Sequence, residues 1–522
     1  MCRGEWIAWQ FGPAINDAFR AIKHHLDPIG LFNPGKIIDP PRMDDGRLFR
    51  FAPPGTPDPY RVGPLKPTLD WSDWNVQNNP TTETLTAPGT GADVTGGFAK
   101  AVEMCNNNGH CRKFDAGTMC PSYRVTRDEQ HVTRGRANTL RLALSGQLGP
   151  DALTGQALYD TLDLCVGCKG CKRDCPTGVD MARMKIEFLS HYKARHGYTV
   201  KDRLISELPQ YAARGSRMPW LMNLRDTLPG AAWLTDRLWG FAARRSLPKW
   251  RSDTFWSRSD GTLFSDAQAT LDAAATGGKA AVLFVDTFNG TFESENAWAA
   301  ARVLKAAGYT LHTLRRAAGH YCCGRTYLSC AMVERARSRI GELVDALLPF
   351  ARAGVAVVGL EPSCLLTLRD EALVLGLGER AQVVSKSALL WEEFLAREVK
   401  AGRFAAAFNP LNAPILVHGH CHQKAFGAVS PILEVLRLIP GAAPSLIESS
   451  CCGMAGAFGY ESSHYEVSMQ MAELNLLPVV RGSPAQAVII ADGTSCRHQI
   501  HDGARREALH VARLLERQLR QN

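Results

Sequence analysis

The sequence predicts a multidomain protein in which a mainly helical, cysteine-rich domain precedes two copies of an α/β domain. The chain has 522 residues, enough for two to four domains with cores of their own. Two dense cysteine groups flank a helical stretch between residues 100 and 200. The remainder alternates continuous β-branched strands with helices and repeats a Cys-Cys-Gly loop, which favours a duplicated domain with a mostly parallel sheet.

The second cysteine group has a spacing typical of iron–sulfur proteins. The chain runs Cys165-Val-Gly-Cys168-Lys-Gly-Cys171-Lys-Arg-Asp-Cys175-Pro176. In this spacing three cysteines hold one cubane cluster, and the fourth, before proline, is directed at a second cluster. Zinc sites usually pair their cysteines in separated knuckles, so the third close cysteine argues against zinc. The pattern predicts a [4Fe–4S] cluster in a dicluster ferredoxin-like domain that carries electrons.

The first cysteine group lacks one cysteine. Cys105 and Cys111 take the first and third positions, Asn108 stands at the second, and Cys120 precedes Pro121 at the fourth. In two-cluster ferredoxins the fourth cysteine of each group binds the cluster of the other group. On that pattern, cluster A has Cys165, Cys168, Cys171 and Cys120, and cluster B has Cys105, Cys111 and Cys175. Three thiolates suit a [3Fe–4S] cluster, or a [4Fe–4S] cluster whose remaining iron binds water, Asn108 or His110. Alternatively the B site is empty and Cys175 completes cluster A.

Basic residues surround both cysteine groups. They are Lys169, Lys172, Arg173, Arg112 and Lys113. Positive charge near a cluster raises its reduction potential, but the same residues are also compatible with an ordinary solvated surface.

The α/β region contains two further cysteine sets, each in loops after predicted strands, where α/β folds build their sites. Copy two begins with the strand from Ile415 and offers four cysteines, enough for a cluster or a zinc ion: Cys421, Cys451, Cys452 and Cys496. Copy one begins with the strand from Ala281 and offers Cys322, Cys323 and Cys364, with Asp286 near the place of the missing thiol. Copy one is therefore an open site or a degenerate scaffold, and Cys330 is expected to be a core thiol.

Three histidines alternate around Cys421. If His418, His420 and His422 lie on a strand, they share one face. They would then support a metal, relay protons or contact a quinone or carboxylate; a structural role is the alternative.

Composition limits the remaining classes. No apolar run approaches the ~18 residues of a membrane helix, and the start of the chain lacks a signal-peptide core, so a cytoplasmic protein is expected. The net charge of +9 is dispersed and accompanies no nucleic-acid motif, so no nucleic-acid partner is expected. Five tryptophans among arginines between residues 200 and 275 allow peripheral contact with a membrane, at its inner face, or packing between domains.

These features resemble the iron–sulfur C-terminal half of FAD-linked D-2-hydroxyacid dehydrogenases, of the D-2-hydroxyglutarate and D-lactate type. The glycolate oxidase iron–sulfur subunit and the Cys-Cys-Gly domains of heterodisulfide reductase are related. Residues 126–130 and 133–138 resemble the segment between the cysteine groups of the fused enzymes. Residues 26–36, Leu-Asp-Pro-Ile-Gly-Leu-Phe-Asn-Pro-Gly-Lys, resemble the end of the FAD-linked oxidase C-terminal domain.

The resemblance implies a division of the chain into seven parts. They are an oxidase-domain remnant (1–40), a linker (41–99), the 4Fe–4S domain (100–200), a helical connector (201–277), the first (278–400) and second (413–500) Cys-Cys-Gly domains, and a C-terminal helix (501–522). No glycine-rich flavin-binding segment is found, so FAD is expected on a missing domain or a partner flavoprotein.

The resemblance implies an oxidoreductase module that passes electrons from a flavin to a quinone or carrier protein. On this interpretation the chain alone does not oxidise a hydroxyacid, and no catalytic residue is assigned. Two alternatives are a heterodisulfide-reductase-like thiol/disulfide oxidoreductase and a non-catalytic, metal-stabilised remnant. Zinc without iron and sulfide after anaerobic purification would support the remnant.

Cluster B is expected to differ electronically from cluster A because one thiolate is missing. Electron paramagnetic resonance of the as-prepared and the reduced protein should show either a [3Fe–4S] signal or a second reduced-cluster signal. Absence of both would contradict an occupied B site.

Overall fold

The computed structural model describes residues 4–42, 62–76, 91, 93–114, 117–258, 263–316 and 319–520. Most of the predicted linker, including residues 43–61 and 77–90, lies outside the described residues. The described chain is mainly helical and contains two four-stranded sheets.

Two helices form the described N-terminal part: α1 (Ile7–Phe11) and α2 (Pro13–Leu26). Pro13 occupies the first turn of α2, where its missing N–H costs nothing. The side chain of Asp27 ends the helix by accepting the backbone N–H groups of Leu31 (2.7 Å) and Phe32 (2.9 Å).

The predicted cysteine-rich domain is helical, which confirms that part of the expected fold. Its helices are α3 (Phe98–Glu103), α4 (Pro121–Thr126), α5 (Thr133–Leu144), α6 (Gln156–Asp163), α7 (Gly170–Asp174) and α8 (Met181–His196). Residues 62–76 lie against α8 because the buried carboxylate of Glu187 accepts hydrogen bonds from Thr68 N (2.7 Å), Leu69 N (2.9 Å) and Trp71 Nε1 (2.9 Å).

A chain of short helices follows: α9 (Val200–Ser206), α10 (Leu208–Gly215), α11 (Pro219–Met222), α12 (Leu224–Thr227), α13 (Ala231–Trp239) and α14 (Ala267–Ala275). Pro209 and Pro219 each stand in a first turn, so each of these prolines begins a new helix. Thr199 and Asp202 close α9 with a reciprocal capping box.

The first sheet has the strand order β2-β1-β3-β4, all parallel. Its elements are β1 (Ala280–Phe284), α15 (Thr287–Thr291), α16 (Ser294–Ala306), β2 (Thr310–Thr313), α17 (Arg325–Ser329), α18 (Val333–Arg352), β3 (Ala356–Gly359), α19 (Pro362–Leu368), α20 (Glu379–Ser387), β4 (Ala388–Leu390) and α21 (Trp391–Lys400). Both faces of β1 are buried, as expected for a parallel strand covered by helices.

The second sheet has the corresponding order β6-β5-β7-β8, again all parallel. Its elements are β5 (Ile415–Val417), α22 (Cys421–Ala425), α23 (Ser430–Leu436), β6 (Pro444–Leu446), α24 (Tyr465–Glu473), α25 (Leu476–Gly482), β7 (Val488–Ile490), α26 (Thr494–Ala504), β8 (Ala508–Leu509) and α27 (Val511–Gln518).

Alternating strand residues connect the sheets to three hydrophobic cores. Val282 and Phe284 of β1 pack into the core that also contains the helical cysteine-rich domain. Leu283 packs into a second core that it shares with Ile415 of the other sheet. Ile489 faces a third core, which contains Cys168 of the cluster motif. The cluster motif therefore contributes to the packing of the second sheet.

The structure differs from the sequence-based expectation at two places in the α/β region. Strand β5 ends at Val417, so the expectation that three histidines share one strand face is wrong: His420 is instead the N-cap of α22. The second sheet also continues past residue 500, because β8 pairs with β7 before the last helix, α27. A two-residue strand has too short a pattern to be recognised in sequence.

Replacing Glu187 should weaken the attachment of residues 62–76. Glu187→Ala removes an ionised acceptor from buried donors, and the free energy of unfolding in urea should fall by about 3 kcal/mol. Glu334→Ala, at a side chain 73% exposed, is the control and should change it by less than about 0.5 kcal/mol. Equal stability of the two variants would contradict this role of Glu187.

The contribution of Glu187 should also depend on pH. Burial opposes ionisation, but hydrogen bonds from His191, Thr68 and Trp71 hold the pKa of Glu187 below its ordinary value of 4.5. Its stabilising contribution is therefore complete above the pKa of the unfolded carboxyl and is lost as the pH falls through the lower folded pKa. The stability difference between the wild type and Glu187→Ala should shrink on acidification below about pH 4.

Candidate metal centres

Four of the predicted ligands line one cavity. Cys120, Cys165, Cys168 and Cys171 line one small pocket beneath the start of α7. Lys169 has a left-handed backbone (φ 59°), which turns the chain between Cys168 and Cys171. Gly170 must be glycine because a Cβ there would lie 3.0 Å from Met119 N and 2.9 Å from the Thr118 side chain.

The local donors fit a thiolate-bound cluster. Cys120 Sγ accepts the backbone N–H of Thr133 at 3.2 Å and lies 2.9 Å from its hydroxyl. Cys171 Sγ accepts the N–H of Met181 at 3.4 Å. Burial raises the pKa of Cys120, Cys168 and Cys171, so these thiols ionise only when a cation binds them. Convergent thiols that line one pocket match the donor set of an iron–sulfur cluster.

The first cysteine group lies next to this cavity. Cys105 and Cys111 are buried, and burial raises the pKa of Cys111 to about 11, with smaller contributions from neighbouring Cys120 and Cys105. Asn108 is exposed, and its Oδ1 accepts the N–H of His110 at 2.8 Å. Cys175, at the end of α7, is half-buried and lies 3.3 Å from Thr177 Oγ1. The grouping of Cys105, Cys111 and Cys175 as one ligand set stays a prediction.

The second sheet brings together the four cysteines of copy two at the carboxyl ends of its strands. Cys452 Sγ and Cys496 Sγ are 3.4 Å apart, and His418 joins them in a group whose ligand atoms all lie within 4.8 Å of one another. Cys421 and Cys451 are hydrogen-bonding neighbours. Gly453 (φ 81°) allows the tight loop, since a Cβ there would lie 2.1 Å from Ser468 O.

Histidines and thiols set each other's charge in this group. The hydrogen bond from Cys451, followed by His420, outweighs burial and holds the pKa of Cys421 well below its ordinary value. Burial opposes protonation of His420, but Cys421 raises its pKa to about 9. His420 Nδ1 also accepts the N–H of His422 at 3.1 Å as the cap of α22. Nδ1 can accept that N–H only while it carries no proton, so His420 caps the helix as the neutral ring and stabilises the thiolate of Cys421 as the imidazolium.

The first sheet places carboxylates where copy one lacks a thiol. Cys322, Cys323 and Cys364 are buried neighbours whose thiols interact. Asp286 caps α15 directly after β1, and burial together with Glu361 raises its pKa to about 6. Cys330 is a separate buried thiol, 3.9 Å from Ser329 Oγ.

The motif loop is held between the two α/β units. Lys169 is 2% exposed, and its Nζ lies 2.5 Å from Asp370 Oδ2 and 2.7 Å from Glu371 Oε1. On the other side, His422 Nε2 lies 3.1 Å from Gly167 O. Burial lowers the pKa of His422, so the ring is neutral and the assigned Nε2–H donates to that carbonyl.

A second contact joins the first cysteine group to the Cys-Cys-Gly loop. Ser450, directly before Cys451, donates its hydroxyl to Thr118 O at 2.7 Å. Glu361 then links the two sheets, because its Oε2 accepts the N–H of Thr494 at 2.8 Å at the start of α26. Hydrogen bonds with buried partners therefore join the three regions that carry the cysteine groups.

Sequence reasoning did not identify the acidic partners of the motif. Asp370 lies 201 residues from Lys169 in the sequence, and Glu371 follows it. The only sequence signal for these partners is that they form an acidic pair just after the apolar helix α19. Lys169 is buried in an ion pair, so the solvated-surface interpretation is wrong for this residue. The sequence singled out His418 but did not predict that it lies near Cys452 and Cys496, because that proximity depends on the loops after three strands.

This arrangement defines an iron–sulfur protein. Residues 101–179 match the family model of the 4Fe-4S dicluster domain, and residues 1–37 match that of the C-terminal domain of FAD linked oxidases. Both matches confirm the resemblance inferred from the sequence, and the first confirms the predicted class of cofactor. No solved structure matches the chain with comparable significance.

Curated relatives agree with these matches. D-2-hydroxyglutarate dehydrogenase of Escherichia coli K12 is 24% identical over 538 residues, which cover 95% of this chain and 48% of that protein. The glycolate oxidase iron-sulfur subunit of the same organism is 24% identical over 431 residues, 80% of this chain and 94% of that relative. One component of its anaerobic glycerol-3-phosphate dehydrogenase is 26% identical over 310 residues, 57% of this chain and 72% of that component.

The chain is therefore related to the iron–sulfur part of FAD-linked hydroxyacid dehydrogenases. It spans about half the length of the D-2-hydroxyglutarate dehydrogenases that it matches. Among the described residues, no helix is long and apolar enough to cross a membrane.

Replacing Lys169 should be more damaging than replacing its neighbour Lys172. Lys169→Met removes the buried positive charge beside the carboxylates of Asp370 and Glu371. The free energy of unfolding should therefore fall by about 3 kcal/mol. Lys172 Nζ lies 2.6 Å from Asp370 Oδ1, but its side chain is 41% exposed, so Lys172→Met should cost less than about 1 kcal/mol. Urea unfolding at matched iron content measures both, and equal losses would contradict the central role of Lys169.

Proposed function

We propose that this chain is the electron-transfer module of a FAD-linked D-2-hydroxyacid dehydrogenase, with a substrate of the D-2-hydroxyglutarate, D-lactate or glycolate kind. The observation that carries the proposal is the convergence of Cys120, Cys165, Cys168 and Cys171 on one pocket. These residues are the proposed ligands of cluster A. An iron–sulfur cluster, when bound, accepts and releases single electrons.

The proposed second site has Cys105, Cys111 and Cys175 as its thiolates. A third site, formed by Cys421, Cys451, Cys452 and Cys496, is supported by their convergence at one sheet edge and by a histidine that favours the thiolate form of Cys421. Cys322, Cys323 and Cys364 are proposed to form a weaker site, since Asp286 replaces a thiol by a carboxylate. The two sheets, with equivalent strand orders, are proposed to be duplicated Cys-Cys-Gly domains.

The protein's own residues would tune and insulate these centres. The hydroxyl and N–H of Thr133 direct dipoles at Cys120, and the N–H of Met181 does the same at Cys171, which stabilises negative charge on sulfur. Cys168 belongs to the same packed core as Cys421 and Cys451, so the first and third sites adjoin without intervening bulk solvent. This proximity supports a relay between them.

The proposed partners are a flavoprotein, on a separate domain or chain, as donor and a quinone or carrier protein as acceptor. The proposed location is the cytoplasm, with peripheral contact at the inner face of the membrane. The names of the relatives, which are dehydrogenases or part of an oxidase, support the assignment of the chain to an oxidoreductase.

A second candidate is a thiol/disulfide oxidoreductase similar to heterodisulfide reductase. The 3.4 Å separation of Cys452 Sγ and Cys496 Sγ favours it, because adjacent sulfurs in one buried group suit a thiol substrate. Perturbation of the cluster spectrum by an added thiol would favour this candidate over the first.

The proposed function is tested by electron transfer into the cluster-loaded chain. Under anaerobic conditions, D-2-hydroxyglutarate together with the flavin-containing half of the E. coli relative should bleach the visible absorption of the clusters, whereas either component alone should not. Cys165→Ala should lose iron and most of this bleaching. Cys330→Ala, at a buried cysteine outside the proposed sites, should retain both.

Three outcomes would overturn the assignment. They are bleaching by the hydroxyacid without flavoprotein, equal iron content in the Cys165→Ala and wild-type proteins, and a purified chain that contains zinc but neither iron nor sulfide.

A further inference from the structure

The segment from Met218 to Trp239, here called the tryptophan patch, exposes its large apolar residues. Trp220 is 68% exposed and Trp233 is 66% exposed. The other exposed apolar side chains of the patch are Met218, Leu221, Leu224, Leu228, Leu234, Leu238 and Trp239. Exposed apolar surface on this scale is unusual for a folded domain and marks an interaction surface.

The same segment directs its polar groups inward. Arg225 is buried and donates to Ala242 O (2.8 Å) and Arg245 O (2.9 Å). Asp226 accepts the N–H of Leu247 at 2.9 Å, and Asp236 accepts the N–H of Ala243 at 2.9 Å and the hydroxyl of Ser462. The segment is therefore attached by hydrogen bonds and ion pairs, while its tryptophans and leucines contact solvent. Packing between neighbouring elements, the alternative explanation, applies to Trp250, which is buried against Tyr211 and Phe292, and not to the exposed tryptophans of the patch.

The attachment continues into the second α/β unit. Arg245 is buried and donates to Gly459 O (3.1 Å) and Gln499 Oε1 (2.7 Å). It also contacts Ser468, whose carbonyl lies close to Gly453 of the Cys-Cys-Gly loop. The tryptophan patch is thus fixed to the unit that carries the third proposed cluster site.

The charge at the patch is net positive. Arg214, Arg217 and Arg237 are exposed, and none of them forms an ion pair with another described residue. Of the nearby acids, Asp226 pairs with the buried Arg225, and Asp236 accepts hydrogen bonds from Ala243 N and Ser462 Oγ and keeps its negative charge. Arginines beside exposed tryptophans and leucines complement a surface that is negative at its face and apolar beneath it.

We propose that the tryptophan patch binds peripherally to an anionic lipid bilayer. Tryptophan prefers the depth of the lipid headgroups, leucine side chains insert into the acyl boundary, and each arginine gains from the negative surface potential. A protein partner would need acidic and apolar surface at matching positions, whereas an anionic bilayer offers both over its whole area. This inference rests on the membrane contact of the proposed function and names the surface that makes it, whereas its test does not depend on electron transfer.

The test is cosedimentation of the full, cluster-loaded chain with vesicles, and it needs no redox readout. The wild type should bind vesicles of phosphatidylglycerol and phosphatidylethanolamine, and bind phosphatidylcholine vesicles much more weakly. Trp220→Ala combined with Trp233→Ala should reduce partitioning roughly tenfold or more. The triple change Arg214→Glu, Arg217→Glu and Arg237→Glu should reduce partitioning onto anionic vesicles at least as much. High salt should also reduce the partitioning of the wild type.

Matched controls separate the patch from general charge and hydrophobicity. The triple change Arg352→Glu, Arg437→Glu and Arg505→Glu alters net charge equally at exposed arginines elsewhere and should preserve binding. Trp9→Ala removes a tryptophan that is 82% exposed in α1 and should also preserve it. Circular dichroism checks that the patch variants, which change only exposed side chains, remain folded.

The proposal is overturned if the wild type does not bind anionic vesicles, or if the control triple reduces binding as much as the patch triple. It is also overturned if the patch variants abolish a complex with a flavoprotein while vesicle binding is absent, which would assign the patch to a protein partner.

Discussion

The buried ammonium of Lys169 is the contact on which the arrangement of the cysteines depends. It lies within the cluster motif and pairs with Asp370 and Glu371 of the first α/β unit. Burial would raise the pKa of Asp370, but Lys169 and Lys172 hold it well below its ordinary value, so the pair is ionic. A buried charge that loses its partner is costly, and the motif loop therefore cannot separate from this unit without a large free-energy penalty.

The geometry around Lys169 also explains how the loop serves two neighbours. Its left-handed backbone turns the chain so that the ammonium points to the first unit while the carbonyl of Gly167 meets His422 of the second. Cys168 and Cys171 are then buried, whereas Cys165 and Cys175 stay half-buried. Burial raises the pKa of Cys168 and Cys171, which makes the bound metal the natural partner of their ionised forms.

The two α/β units use the same topology with different chemistry. In the second unit His420 caps the helix after β5 and precedes Cys421, whereas in the first unit Asp286 caps the helix after β1 and precedes Thr287. Both residues cap a helix, but the first unit has a carboxylate where the second has an imidazole, and a threonine where the second has Cys421. The second unit also holds the tryptophan patch through Arg245 and through Ser462, whose hydroxyl donates to Asp236.

Much of the protein was determined by the sequence alone, because the relevant patterns are local. The spacing of Cys165, Cys168 and Cys171 predicted a cluster, and the runs at Ala281 and Ile415 predicted buried parallel strands. Short strands such as β8 were missed since they carry too few residues for a periodic pattern. The histidines after Val417 were misassigned because a helix cap and a strand end have the same local composition. Only the tertiary structure decided that Cys120 joins the motif cysteines and that Lys169 is buried. It also decided that Trp220, Trp233 and Trp239 are exposed whereas Trp250 is buried. Each of these outcomes depends on contacts between residues far apart in the chain, such as Lys169 and Asp370.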